Sequence, residues 1–179
     1  MHNTRVAARY AEALIADAIK SGKLERLKED IDAFIKVCNG SRSLMVFLQN
    51  PILFPEKKAA ILGKIFQGKL DDKLVTAFKV ICKKNREPFL YDIAQSVVRE
   101  YNRLKNIQEV DVTTATEISP KMRLEFIRIA TEMTNKKVAL KEHIDKTIIG
   151  GYILKIGDKR IDNSLKSKLA KLRTMFSQN

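Results

Sequence analysis

The chain has 179 residues, of which 45% are hydrophobic and 31% charged, enough for one ordinary domain or two small ones and too apolar for a disordered chain. No apolar run approaches the roughly 18 residues that cross a bilayer, and Met1-His2-Asn3-Thr4-Arg5 lacks the apolar core of a signal peptide and turns helical too soon for a transit peptide. The net charge of +13 is spread along the chain: 20 basic against 12 acidic residues in 1–105 (+8), and 14 against 9 in 106–179 (+5). A diffuse positive surface suits nucleic acid, anionic lipid or acidic proteins, and by itself selects none of them.

Val6, Tyr10 and Leu14 recur at helical spacing, with Ala7, Ala11 and Ala18 alongside, so the spacing predicts an amphipathic helix ending near Ser21-Gly22. Leu24, Leu27, Ile31, Phe34 and Cys38 form a second stripe, stopped by Asn39-Gly40. A short third helix, Ser43 to Gln49, ends at Asn50-Pro51, because the residue before proline resists the α conformation. Pro55 suits the first turn of a fourth helix reaching about Phe66. Asp71 or Asp72 can cap a fifth with Leu74, Phe78 and Ile81 on one face. Pro88 opens a sixth, on which Leu90, Ile93, Val97 and Leu104 recur. Short connections gather these into a compact bundle.

After Lys105 the period changes. Val110, Val112 and Thr114 alternate with polar residues, as in a half-buried strand. Ser119-Pro120 reads as a cap and first turn for a helix to about Thr134. Val138 and Leu140, with Glu142 next in the alternation, suggest a second strand. Ile148 to Ile156 reads as a third, Gly157-Asp158 as a hairpin turn and Lys159 to Ile161 as the return strand. Leu165, Leu169, Leu172 and Phe176 share a stripe on a last helix. The expected fold is therefore mainly α: a six-helix bundle over 1–105, followed by a small α+β domain over 106–179.

Little here promises catalysis. Gly150-Gly151 lacks the G-x-x-x-x-G-K-[ST] pattern of a phosphate loop. His143 stands beside Glu142 and Asp145 without a second histidine nearby, and His2 lies at the terminus, so no metal or cofactor is expected. Cys38 and Cys82, on apolar helix faces, read as small core residues in a reducing compartment. No nucleophile–base pair is evident, and no catalytic residue is assigned. Two features fit a binding module better. The first helix has a narrow alanine-rich side that lets another helix approach. The fifth carries apolar residues on more than one side (Val75, Ala77, Phe78, Val80, Ile81), which suits either a docking groove or a place at the bundle centre.

Certain residues, in their order, carry a resemblance. They include Arg9-Tyr10-Ala11-Glu12-Ala13-Leu14, then Asn50-Pro51, Lys57-Lys58, Ile61-Leu62, Phe78, Asn85-Arg86, Leu90, Ile93 and Tyr101-Asn102. Val110-Asp111-Val112-Thr113-Thr114-Ala115 and Ile118-Ser119 follow. The most specific part is the signature Asp145, Gly150-Gly151 and Asp162-Asn163-Ser164. In this pattern, spanning nearly its whole length, the chain resembles the delta subunit of F-type ATP synthases, the bacterial counterpart of the mitochondrial oligomycin-sensitivity-conferring protein. It departs in small ways: Asn106 and Asn135 stand where that family often has glycine, and asparagine tolerates the left-handed conformation such turns require.

The resemblance implies a non-catalytic stator subunit that links the alpha subunits of the catalytic head to the b-subunit stalk and resists rotor torque. It implies that the bundle receives an alpha-subunit N-terminal helix between its first and fifth helices. Tyr10, Ala13, Leu14 and Asp17 would form one wall, and Thr76, Val80 and Lys83 the other. The second domain would engage the C-terminal end of the b subunit. Placement at the cytoplasmic face of a bacterial inner membrane, indirectly through the complex, is implied as well. The competing class is a basic nucleic-acid-binding protein. Against it stand the dispersed charge and the scarcity of aromatics, 7% of residues, so no specific nucleic acid is expected.

Overall fold

The computed structural model describes residues 2–177, with the side chains of residues 5–171 and 173–175. The chain is mostly helical with one small sheet, and it divides into two compact units, 1–101 and 102–179. The division falls in the last turns of a helix, a few residues before the expected boundary at 105. Leu172 and Phe176, expected on the last helical stripe, lie outside the described side chains.

The first unit contains α1 (His2–Lys20), α2 (Leu24–Gly40), α3 (Arg42–Gln49), α4 (Pro55–Phe66), α5 (Asp72–Lys83), a single 3₁₀ turn (Glu87–Phe89) and most of α6 (Leu90–Leu104). Local chemistry sets the ends. Gly22, at φ 66°, closes α1: Lys23 N–H reaches Ala18 O at 2.9 Å and Gly22 N–H reaches Ile19 O at 3.1 Å. The Ser41 hydroxyl caps α3 through Leu44 N–H, and the Asp71 carboxylate caps α5 through Lys73 N–H at 2.9 Å.

Ile31 and Phe34 from α2, Leu62 and Phe66 from α4, and Phe78 from α5 are buried. The rings of Phe34, Phe66 and Phe78 meet at centroid distances of 4.8–6.4 Å in tilted and edge-on pairs, geometry that aromatic quadrupoles favour. Cys38 and Cys82 are buried and unbridged, and burial pushes both thiols up to about 11, so neither is a ready nucleophile. The fully buried Lys58 donates to Glu87 Oε1 at 2.7 Å and to Leu48 O at 3.1 Å, tying three elements with one ammonium group.

The second unit carries β1 (Ile107–Thr114), α7 (Pro120–Thr134), β2 (Lys137–Ile144), a 3₁₀ turn (Lys146–Ile148), β3 (Tyr152–Ile156), β4 (Lys159–Asp162) and α8 (Leu165–Ser177). The sheet order is β2-β1-β3-β4, with β2 parallel to β1 through the α7 crossover and the other pairs antiparallel. The alternation in β1 sends Val110 and Val112 into a core with Phe126, Ala130, Leu154 and Ile156. The other side of β1 is polar, and there Glu109 accepts from Lys141 at 2.9 Å and Asp111 faces His143 at 3.3 Å. Asn106 (φ 55°) and Asn135 (φ 53°) adopt the left-handed conformation that their places require.

The signature segment departs from the expected strand. Gly150 and Gly151 do not lie within β3 but precede it, because the chain first makes the 3₁₀ turn 146–148 and then bends. A Cβ on Gly151, at φ 78°, would sit 2.3 Å from Asn163 O, so only glycine fits there. Gly150 O accepts Leu165 N–H at 2.9 Å. Asp162 Oδ1 accepts from Ser164 N–H at 3.1 Å and from its hydroxyl at 2.7 Å. Ser164 Oγ in turn caps α8 through Ser167 N–H at 3.2 Å. The signature is thus a lock that fixes the entry to β3 against the exit of β4 and the start of α8.

Candidate functional site

A mostly apolar groove of about 400 Å³ lies between α1 and α5, with the start of α2 contributing Arg26, Leu27 and Asp30. Tyr10, Ala13, Leu14 and Asp17 line one wall, and Thr76 and Val80 line the other. Of the residues expected there, only Lys83 stays out of the lining. Asn85, at φ 55°, ends α5: Arg86 N–H reaches Ile81 O at 3.1 Å and Asn85 N–H reaches Cys82 O at 2.8 Å. This turn swings Arg86 back across the groove's end, where its guanidinium donates to Tyr10 Oη at 3.0 Å and lies 5.5 Å from the ring centroid. Arg86, not Lys83, meets Tyr10.

The alternation of roles on α5 settles its apolar breadth. Leu74, Val75, Phe78, Ile81 and Cys82 are buried, while Val80 is 48% exposed and faces the groove with half-buried Ala77. The helix is both a core element and an open wall. On α1 the outcome differs from expectation. Ala7, Ala11 and Ala18 are buried within the unit, so the narrow side serves internal packing. The open side belongs to Tyr10, Ala13, Leu14 and Asp17.

The groove's two ends differ in charge. Where α1 ends and α5 begins, charges are paired: Lys23 with Asp71 at 2.8 Å, Arg26 with Asp30 at 3.3 Å and Lys73 with Asp17 at 3.9 Å. Asp30 is only 3% exposed and also accepts Asp71 N–H at 2.8 Å, so a charged group is held under the groove by donors from two elements. The hydrogen bond from Lys23 holds the Asp71 carboxyl below the usual carboxylate range. Beyond Tyr10, at the opposite end, a depression of about 350 Å³ is lined by Arg5, Val6, Arg9 and Arg86, with no carboxylate in its lining. Sequence reasoning missed Arg86 and Asp30, each of which acts across long sequence separations.

Among the described residues there is no group of three or more metal-ligating side chains, and no helix is long and apolar enough to cross a membrane. The residues around His143 have separate partners. Glu142 takes Arg123 at 2.5 Å and Asp145 takes Thr147 N–H at 2.9 Å, while His143 itself faces Asp111.

Comparisons with known proteins bear on the whole chain. The family model described as "ATP synthase delta (OSCP) subunit" matches residues 6–176. An ATP synthase subunit delta from Cytophaga hutchinsonii is 36% identical over 178 residues, covering 99% of this chain and 97% of that protein. One from Amoebophilus asiaticus is 34% identical over 176 residues, covering 98% and 96%. A chain in the cryo-EM structure of the Toxoplasma gondii mitochondrial ATP synthase hexamer shares the fold, with a TM-score of 0.74 at 19% identity over 95% of this chain and 96% of that one. A helical unit with a groove, followed by a small mixed unit built on the signature lock, is thus matched along its length. The chain belongs to the ATP synthase delta (OSCP) subunit family, a non-catalytic stator component of that complex.

Proposed function

We propose that the six helices of residues 1–105 act as one bundle that binds the catalytic head, with the α1–α5 groove receiving the N-terminal helix of an alpha subunit. Residues 106–179 engage the C-terminal end of the b-subunit stalk. The joint works at the cytoplasmic face of a bacterial inner membrane and reaches the membrane only through its partners. The observation that carries this reading is the groove itself: Tyr10, Leu14 and Val80 present apolar surface to one cleft between two helices. A stator joint must hold against torque, so slow dissociation matters most, and nanomolar affinity corresponds to about 12 kcal/mol. Buried aromatic and aliphatic anchors supply most of that, while the charged ends speed encounter and favour one direction of the docked helix.

Tyr10 is the anchor to test. The Tyr10→Asp chain should keep the thermal midpoint of the wild type while losing about 2 kcal/mol of affinity for an alpha-subunit N-terminal peptide, roughly thirtyfold in Kd. Calorimetric titration measures this directly, and an unchanged Kd would remove the groove assignment.

A further inference from the structure

The second unit contains a strained backbone position that its own packing does not explain. Ile149 has φ 67° and ψ −42°, and Gly150 N–H reaches back to Ile148 O at 2.7 Å. This is a γ-turn of the rare hand, which is costly for any L residue and worse for a β-branched one. Two glycines follow immediately, so the sequence had the permissive residue within one position and did not use it here. Nor does the side chain gain burial in exchange, since Ile149 is 65% exposed. Strain held by the surroundings for the sake of an outward-pointing apolar group marks a presentation site.

The neighbourhood supplies the rest of a surface. The turn is tied to the start of α8 by Leu165 N–H on Gly150 O, and Leu165 and Leu169, one helical turn apart, are 46% and 57% exposed. The α8 sequence contributes Lys166, Lys168, Lys171 and Arg173 and no acidic residue. Three large apolar groups at a corner flanked by positive charge fit an amphipathic helix with an acidic flank. A second copy of this chain would bring like charges together. A lipid surface would accept any exposed apolar side chain and would not repay a strained backbone position.

We propose that Ile149 and the Leu165–Leu169 face of α8 form the anchor for the stalk partner, an acid-flanked amphipathic helix that covers Ile149. This rests on the stalk reading of the second unit and names the surface that would perform it. The test titrates the full-length chain with the C-terminal segment of the b subunit from the same organism. Ile149→Gly removes the side chain and relaxes the turn, so affinity should fall at least tenfold while the thermal midpoint stays level or rises. Leu169→Ser, on an exposed helical position, should weaken binding several-fold with the midpoint unchanged. Binding that both substitutions leave intact overturns this proposal alone, as does a midpoint that drops together with affinity in Ile149→Gly. Absence of binding by the wild-type chain overturns the stalk reading and the anchor with it. Loss in Ile149→Gly of binding to anionic phospholipid vesicles, with the b segment still bound, would reassign the corner to membrane.

Discussion

In the first unit, the side chains that open onto the groove stand on relaxed backbone: α1 closes on Gly22, α5 on Asn85, and each end satisfies its carbonyls internally. In the second, the exposed apolar side chain beside the start of α8 stands on a γ-turn that Ile149 would not adopt alone. The groove is shaped by elements whose stability comes from cores and caps elsewhere, so a lining side chain can change without changing the shape. The corner depends on the lock around it. Gly151 against Asn163 and Asp162 over Ser164 must hold for Ile149 to stay where it is. Two ways of presenting a surface therefore carry different vulnerabilities, and substitutions away from both surfaces should expose the difference.

The largest effect is expected at Lys58. Its ammonium group satisfies Glu87 Oε1 and Leu48 O, while Glu87 Oε2 has no hydrogen-bond partner among the described residues. Lys58→Ala leaves a carboxylate buried without its counter-ion and should cost about 3–5 kcal/mol. Denaturant titration followed by amide hydrogen exchange should place that loss in the first unit's helices, with protection of the β1–β3 amides retained. The double replacement Lys58→Met with Glu87→Leu should recover much of it, because the uncompensated charge is then gone.

Next in size is Gly151→Ala. The added Cβ meets a backbone carbonyl, and φ is unfavourable for any L side chain, so the second unit should lose on the order of 3 kcal/mol. The sharper expectation is specificity: calorimetry should show stalk binding lost and binding of the alpha peptide in the groove retained.

The smallest effect concerns acid. Hydrogen bonds from Ser164, and then from Ser167, hold the Asp162 carboxyl down to about 2. A carboxylate depressed in the folded state stabilises it above its unfolded pKa of about 4 and loses that contribution as the pH falls toward 2. The second unit should therefore weaken between about pH 4 and pH 2 in the wild type. Asp162→Asn should reduce that dependence, measured as the change in urea midpoint between the two pH values. An identical pH dependence in both chains would show that the cap does not titrate with folding.

Much of the architecture was legible because short-range chemistry controls it. Ser119-Pro120 announced α7, Pro55 opened α4, and the alternation of Val110 and Val112 marked β1 with its buried face. The groove was legible in a different way. Tyr10, Ala13, Leu14 and Asp17 came with the family resemblance, whereas helical spacing drew attention to the alanine side, which packs inward. Arg86 escaped because its meeting with Tyr10 spans 76 residues of chain and depends on a left-handed asparagine. The turn at Ile149 escaped because isoleucine is among the residues least expected at positive φ. Adjacent glycines beside apolar residues read naturally as an interrupted strand, and only the close approach of Asn163 shows why the glycines come before it.

On the proposed reading, this stator subunit grips two partners through two separate surfaces, one on each unit. The most direct measurement is a crossed titration of the full chain: alpha N-terminal peptide and b C-terminal segment, each against Tyr10→Asp and Ile149→Gly. Tyr10→Asp should weaken only the alpha peptide and Ile149→Gly only the b segment. A substitution that weakens both partners, or an affinity pattern indifferent to either residue, would contradict it.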